Sequence, residues 1–550
     1  MRSRASVVAL PCALVVVPVF LQAARAGDLV TDWNATLRSV IQLDGASDPS
    51  KANPGWATRS MAMTNGAIYD IFQARNRTHQ PFRYDTTITS NDVRDAAVNQ
   101  AAYTLLTTLY SGSASTAVAS NAYTTRMATI ADTTAKTAGI TLGNAVAAAY
   151  LANRSGDGSA NVGSYTVNSA PGHWSSDPFH PGQNPWGPGW GTVTPFAIAS
   201  TTRIRTLPNL EVPALSGTNG LAGILGSASY AAQYNQVKDV GAVGSLTRTP
   251  EQTEIGVFWG YDRPTLGPPP VMFNQTLGEI VNQIGTNTAD QNARLFAMAS
   301  VAMADASITA WAAKFDYDFW RPVTAIQRGD DDGNESTAGD PTWRPLGAPG
   351  DPSVSGSDFT PPFPAWPSGH ATMGAAMFRT LENFYGTNSF LAITGSNATY
   401  PLTSDELLEG VWDVSNVARP NDINREYSTF TTNIDGTSPD WNSPEWENAI
   451  SRVYLGIHWR FDATDGIRMG TAIADEIGGG TFQAVPEPRL ILPAAGCIAF
   501  LGWVKRRRRR RGPAVHEPEA ACMPPASRPP VGTMKISHGP ADFHGQEWVA

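Results

Sequence analysis

The chain has 550 residues, long enough for one large or two medium domains, with 16% charged residues and a formal charge of −9. The charge is unevenly spread, with net positive segments at residues 1–26 and 489–511, so the body between them is more acidic than the total, which argues against nucleic acid as a partner. The cysteines, Cys12, Cys497 and Cys522, all lie outside residues 27–488, and that body therefore has no disulfide, thiolate nucleophile or cysteine-based zinc site.

Arg2 and Arg4, an apolar run from Ala5 to about Leu21 and the small-x-small triplet Ala24-Arg25-Ala26 predict an export signal over residues 1–26, with a buried N-terminal helix as the alternative. Runs of good helix formers predict helices over 91–110 and 113–150. Residues 155–195 are dense in Gly, Pro and Trp and predict a long covering loop. His173 and His180 inside it read as surface or packing residues rather than a metal pair. Helical patterning returns over 227–240 and again over 249–259, where Thr249 suits the N-cap and Pro250 the first helical position. It is clearest from Val271 to Phe315, with a break near Gly285. Asp330 to Glu335 resembles the start of a calcium loop but lacks the turn glycine and the later bidentate Glu, so it reads as solvated. Further helices are predicted from Ala371, over 443–457 and over 465–477. There is no repeat of fixed period and little β-alternation. The expected fold is all-α: an N-terminal bundle with its covering loop over 27–240, and a second bundle over 241–480 that carries the site.

Val485-Pro486-Glu487-Pro488, an apolar stretch over 490–504 and a block of one lysine and six arginines over 505–511 close this part of the chain. Residues 481–511 resemble a PEP-CTERM sorting signal, which implies a transpeptidase-like sorting enzyme as partner. The apolar stretch is short for a membrane span, for which about twenty residues are typical, and is expected to anchor the chain transiently. An ordinary C-terminal anchor is the alternative. The Pro-rich polar segment 512–550 departs from such signals, which normally end a chain, and is expected to be disordered. The body is expected in the periplasm, on the cell surface or outside the cell.

The chemistry sits in three groups. Lys314 and Arg321 are seven residues apart and share a face if one helix carries both, with Pro322 stopping it. Pro367-Ser368-Gly369-His370 precedes a helix, whose free N–H groups favour an anion, and Gly369 lets it approach without a Cβ in the way. His458 and Asp462 are at i, i+4, so the carboxylate can fix the imidazole tautomer; Arg452 lies six residues earlier. Taken singly, these also read as a surface basic pair, a simple N-cap and a helix-starting acid. Together they offer three cations, two imidazoles, a hydroxyl and a glycine amide, the inventory for a small oxyanion.

In this order the three groups resemble the signature shared by vanadium-dependent haloperoxidases and type 2 phosphatidic acid phosphatases. Within that superfamily, residues 363–372 and 447–463 are similar to vanadium chloroperoxidase segments almost residue for residue. The resemblance implies vanadate as cofactor, with phosphate able to occupy the same site, and hydrogen peroxide and halide as substrates, with an organic acceptor beyond them. It implies that His458 ligates vanadium, that His370 is the acid–base residue, and that Lys314, Arg321, Ser368, Gly369 and Arg452 hold the oxygens. Lys314 would also polarise bound peroxide. Asp262, in the run 258–262, resembles the acid that orients an active-site arginine, and Phe363 stands where bromoperoxidases tend to carry His. The alternatives are a secreted phosphatase acting through a phosphohistidine at His458, and a non-catalytic surface protein that kept the fold.

Overall fold

The computed structural model describes residues 28–48, 51, 53–263, 266–350, 358–408, 425–436 and 441–486. The expected export signal, the sorting signal from residue 487 onward and the tail 512–550 lie outside them.

Local capping explains most of the helix starts. In the N-terminal part run α1 (Leu29–Ser47), α2 (Pro54–Asn76), α3 (Asn91–Leu109), α4 (Ser113–Met127) and α5 (Thr134–Asn153). Asp28 caps α1 through the amides of Val30 and Thr31, both at 2.9 Å, and Asn53 caps α2 ahead of Pro54. The single helix expected over 113–150 is two helices. The break falls at Ala128–Thr133, where Asp132 and Thr133 favour a turn and Thr133 caps the new start. After the covering loop come three short helices, α6 (Thr201–Arg205), α7 (Glu211–Ser216) and α8 (Leu221–Leu225), and then α9 (Ala228–Val240).

The second part holds α10 (Pro250–Phe258), α11 (Pro269–Ile284), α12 (Ala289–Tyr317), α13 (Pro322–Gln327), α14 (Gly369–Tyr385), α15 (Phe390–Thr394), α16 (Asp405–Leu408), α17 (Pro444–Tyr454) and α18 (Arg460–Gly480). A minimal antiparallel pair, β1 (Tyr400–Leu402) and β2 (Arg425–Tyr427), sits beside them. Thr249 and Thr288 each form a capping box with the glutamine three residues on. Gly285, at φ 63°, ends α11 as the sequence predicts. α18 starts earlier than the sequence predicts, because the Asp462 carboxylate reaches back 2.9 Å to the Trp459 amide and caps it.

α12 is the axis of the molecule. By length and composition it could cross a membrane, yet it is almost wholly buried in the protein. α2 lies along it through small polar contacts: Thr58 with Ser307 at 3.1 Å and Asn65 with Ser300 at 2.9 Å, extended by Asn34 to Asn274. α14 packs on α18 so tightly that a Cβ at Gly470 would lie 2.3 Å from the Thr372 carbonyl. Residues through Val485 cluster as one unit, and the expected division at 240/241 is crossed by contacts such as the Trp174 amide to the Asp318 carbonyl at 2.9 Å.

Buried carboxylates anchor the loops. Asp305, on α12, accepts the amides of Phe196, Ala197 and Ile198. Asp465 accepts those of Glu211 and Val212. The covering loop lies over the C-terminal end of α12: Trp186 donates its amide to the Pro362 carbonyl at 2.9 Å and meets Trp311 edge-on, with ring centres 4.9 Å apart. His173 and His180 each contact a carboxylate, Asp318 at 2.7 Å and Asp177 at 2.9 Å, rather than one another's ligand sphere. In the Asp330–Glu335 turn, Asp332 takes the Asn334 amide and the Thr337 hydroxyl.

Candidate active site

Lys314 and Arg321 do not share a helix. Asp318 takes a left-handed conformation (φ 51°) at the end of α12, Phe319 and Trp320 run extended, and Arg321 becomes the N-cap of α13. Pro322 therefore starts a helix instead of stopping one, as expected of proline in a first turn. The turn still delivers both cations to one place. Each lies against the Phe363 ring, with Lys314 Nζ 5.0 Å and Arg321 Cζ 4.9 Å from its centre.

Lys314 is fully buried, and its Nζ donates to the carbonyls of Pro364, Ala365 and Pro367 at 3.0, 2.9 and 2.6 Å. Those three bonds account for its three hydrogens. As found, it contributes charge and shapes the loop ahead of Ser368; to donate to a bound anion it must release one carbonyl. Burial, with Arg321 beside it, holds its ammonium well below the usual lysine range.

Arg321 donates from Nε to the Phe363 carbonyl and from Nη1 to the Ile457 carbonyl and His458 Nε2, the last at 2.9 Å. An arginine only donates, so this Nε2 is an acceptor. The other ring nitrogen, Nδ1, lies 2.8 Å from Asp462 and carries the proton. His458 is thus a neutral imidazole with its Nε2 lone pair turned to the cations. Burial and the positive charges of Arg321 and Lys314 push its pKa well down and keep it so. Burial holds the Asp462 carboxyl up at about 7.

Ser368 caps α14 by accepting the Ala371 amide at 3.3 Å, and its own amide donates to the Asp462 carbonyl, which ties α14 to α18. Gly369 opens α14 beneath the Trp311 ring, which a Cβ there would meet at 3.2 Å. The amides of Gly369 and His370 are first-turn donors with no main-chain partner among the described residues. His370 Nε2 lies 3.1 Å from the Gly260 carbonyl, so Nε2 is protonated and Nδ1 carries the lone pair. Burial, then Arg452, holds the His370 pKa well below the ordinary value. Arg452, on α17, pairs with Asp262, whose carboxyl burial raises despite that partner. All ten site residues expected from the sequence fall in this region.

Two groups carried no readable signal. The Gly260 carbonyl is main chain and has no side chain to announce it. Asn448, one turn before Arg452 on α17, donates to the His370 carbonyl at 2.9 Å and joins the two helices.

Buried charge is left over. Among the described residues, Arg321 Nη2 and Arg452 Nε have no hydrogen-bond partner although both side chains are fully buried. Burial lowers the pKa of Lys314, Arg321 and Arg452; Arg321 adds to the depression of Lys314, and Arg452 to that of Arg321, which falls to about 9. Three buried cations, faced by Asp262 and Asp462 and, for Arg452, also by Glu406, with spare donors and a helix N-terminus beside them, fit a multiply charged oxyanion.

Fold and site together define an all-α protein whose buried cations and helix N-terminus form a candidate site for a small oxyanion. Residues 294–481 match the family described as the VCPO second helical-bundle domain. The vanadium chloroperoxidase of Curvularia inaequalis is 35% identical over 264 residues, covering 44% of this chain and 42% of its own length; the chain thus matches less than half of that relative. Among solved structures, a bacterial vanadium-dependent iodoperoxidase superposes with a TM-score of 0.61 at 20% identity, over 83% of this chain and 98% of its own. A holo-type bacterial vanadium-dependent chloroperoxidase gives 0.54 at 14% identity, over 81% and 96%. The all-α expectation holds, and the fold is the one seen in these two bacterial structures.

Proposed function

We propose that this protein is a vanadate-dependent haloperoxidase that oxidises halide with hydrogen peroxide to hypohalous acid, which then halogenates organic acceptors. The observation that carries the reading is the excess of buried positive charge at Lys314, Arg321 and Arg452 around two neutral imidazoles, with Arg321 Nη2 and Arg452 Nε unpartnered among the described residues. When bound, vanadate supplies a Lewis-acidic centre that activates hydrogen peroxide toward halide without changing its own oxidation state.

His458 would hold that group through Nε2, its basicity raised by the Asp462 contact at Nδ1. Arg321, Arg452, Ser368 and the Gly369 amide would hold its oxygens. Lys314 places a positive charge beside them and, on releasing one carbonyl, a donor. His370 Nδ1 is the free nitrogen that takes up or returns the proton that halide oxidation consumes. Phe363 gives the cations an apolar wall, which excludes water beside them and strengthens their attraction for a halide there. The absence of cysteine between residues 27 and 488 leaves no thiol in the body for the oxidant to attack. The segments 1–26 and 481–511 support export of the body, and its recovery from a fraction outside the cytoplasm tests that.

Full-length protein loaded with orthovanadate should oxidise iodide, bromide or chloride in the presence of peroxide, and His458→Ala should lose both orthovanadate binding and this activity. Turnover of phosphate esters alone, with no halide oxidised, would replace this reading by the phosphatase one.

A further inference from the structure

One residue between two site contacts has no role in the proposal above. Tyr261 is fully buried and holds φ at 40°, a left-handed conformation that a bulky side chain rarely adopts. Such a conformation persists only where its surroundings fix it. Its neighbours on both sides serve the site. The Gly260 carbonyl accepts His370 Nε2 at 3.1 Å, with Arg452 Nη1 at 3.4 Å, and the Asp262 carboxylate takes Arg452 Nη2. The Tyr261 side chain is anchored elsewhere. Its hydroxyl donates to Gln275 Oε1 on α11 at 3.2 Å and accepts the Asp405 amide, at the start of α16, at 3.1 Å.

We infer that Tyr261 is a positioning residue, whose anchored hydroxyl holds the turn that aims the Gly260 carbonyl at His370 and the Asp262 carboxylate at Arg452. The turn thereby sets two things at once. It fixes the His370 tautomer, because a carbonyl at Nε2 requires the proton there and leaves Nδ1 free. It also fixes the direction of the Arg452 guanidinium, because Asp262 holds Nη2 while Nε stays unpartnered. The sequence hides this role, since the useful atoms belong to residues 260 and 262 while the fastening belongs to residue 261. The inference rests on the proposed function only for the identity of the bound anion.

The test uses the full-length protein, with orthovanadate affinity and the nitrogen NMR signals of the His370 imidazole as readouts, so that it does not depend on halide turnover. Tyr261→Phe, which keeps the ring and removes the hydroxyl, should weaken orthovanadate binding about tenfold, the scale of lost outer contacts in anchored sites. It should also turn the single His370 tautomer into a mixture. Gln275→Leu, which leaves Tyr261 intact, should do the same, and the double variant should lose little more than either single one. If Tyr261→Phe does not fold, Gln275→Leu decides alone. Orthovanadate affinity within twofold of the parent, with unchanged His370 nitrogens, overturns the inference. So does a Tyr261→Gly protein that binds orthovanadate as the parent does, because the turn would then need no anchor. If the parent oxidises no halide but these shifts occur, the positioning role stands and the activity proposal falls.

Discussion

At the residue scale, burial decides what each ionisable group can do. Arg452 is 1% exposed, and Asp262 is the carboxylate that pairs with it. Removing one member of a buried pair leaves the other charge without compensation, which destabilises by about 3–5 kcal/mol. Asp262→Ala should therefore lower the urea midpoint sharply and weaken orthovanadate binding, since the guanidinium is no longer aimed. Asp262→Asn keeps an acceptor oxygen and should lose less on both measures. Urea unfolding followed by circular dichroism distinguishes the two, and equal losses would mean that charge alone, not direction, is what Asp262 supplies. The same scale shows what the sequence could reveal. The pairing of His458 with Asp462 and the capping by Ser368 are local, set by spacing and side-chain chemistry, and were legible. The partners of Lys314 were not, because three main-chain carbonyls fifty or more positions away have no signature in composition.

At the element scale, the site is a junction of helix ends. α12 and α13 bring Lys314 and Arg321, α14 brings Ser368 to His370, α17 brings Arg452, and the start of α18 brings Asp462. The sequence located these helices well, and it put Lys314 and Arg321 on one face only if a single helix carried both. The left-handed Asp318 breaks it, and nothing in the local composition marks that residue as a helix end, since its conformation is secured by Tyr165, His173 and Trp174 from the covering loop. The distance between α14 and α17 is likewise set by a contact invisible in sequence. A Cβ at Gly374 would lie 2.2 Å from Asn448 Nδ2, the atom that donates to the His370 carbonyl. Gly374→Ala should thus push the two helices apart, at about 1–3 kcal/mol of overpacking, and reduce orthovanadate affinity. Asn448→Ala vacates the space, so the double variant should recover part of the stability lost by Gly374→Ala. A strictly additive double-mutant cycle would show that the two positions do not meet.

At the scale of the whole molecule, the protein stores charge in its interior on both sides of neutrality, and its stability must follow pH accordingly. Away from the site, Asp305 and Glu445 are buried carboxyls. Burial raises Asp305 to about 6, against the opposing pull of three amide donors, and raises Glu445 to about 8. In the unfolded chain both groups return to ordinary values, so between the two limits the folded state binds protons that the unfolded state has released. The stability that these groups contribute is therefore complete below the unfolded pKa and is lost as pH rises through the folded one. For Asp305 the window runs from 3.8 to about 6, and the shift amounts to about 3 kcal/mol. Asp305 also fastens the segment 196–198, where the covering loop returns to α12, so its ionisation bears on how firmly that loop is held. Asp305→Asn removes the titration but keeps one acceptor oxygen. The parent's stability advantage over this variant should be larger at pH 4.5 than at pH 7.5, as read from urea midpoints at the two pH values. An advantage that widened with pH would mean that the three amides outweigh burial and that Asp305 is ionised in the folded protein.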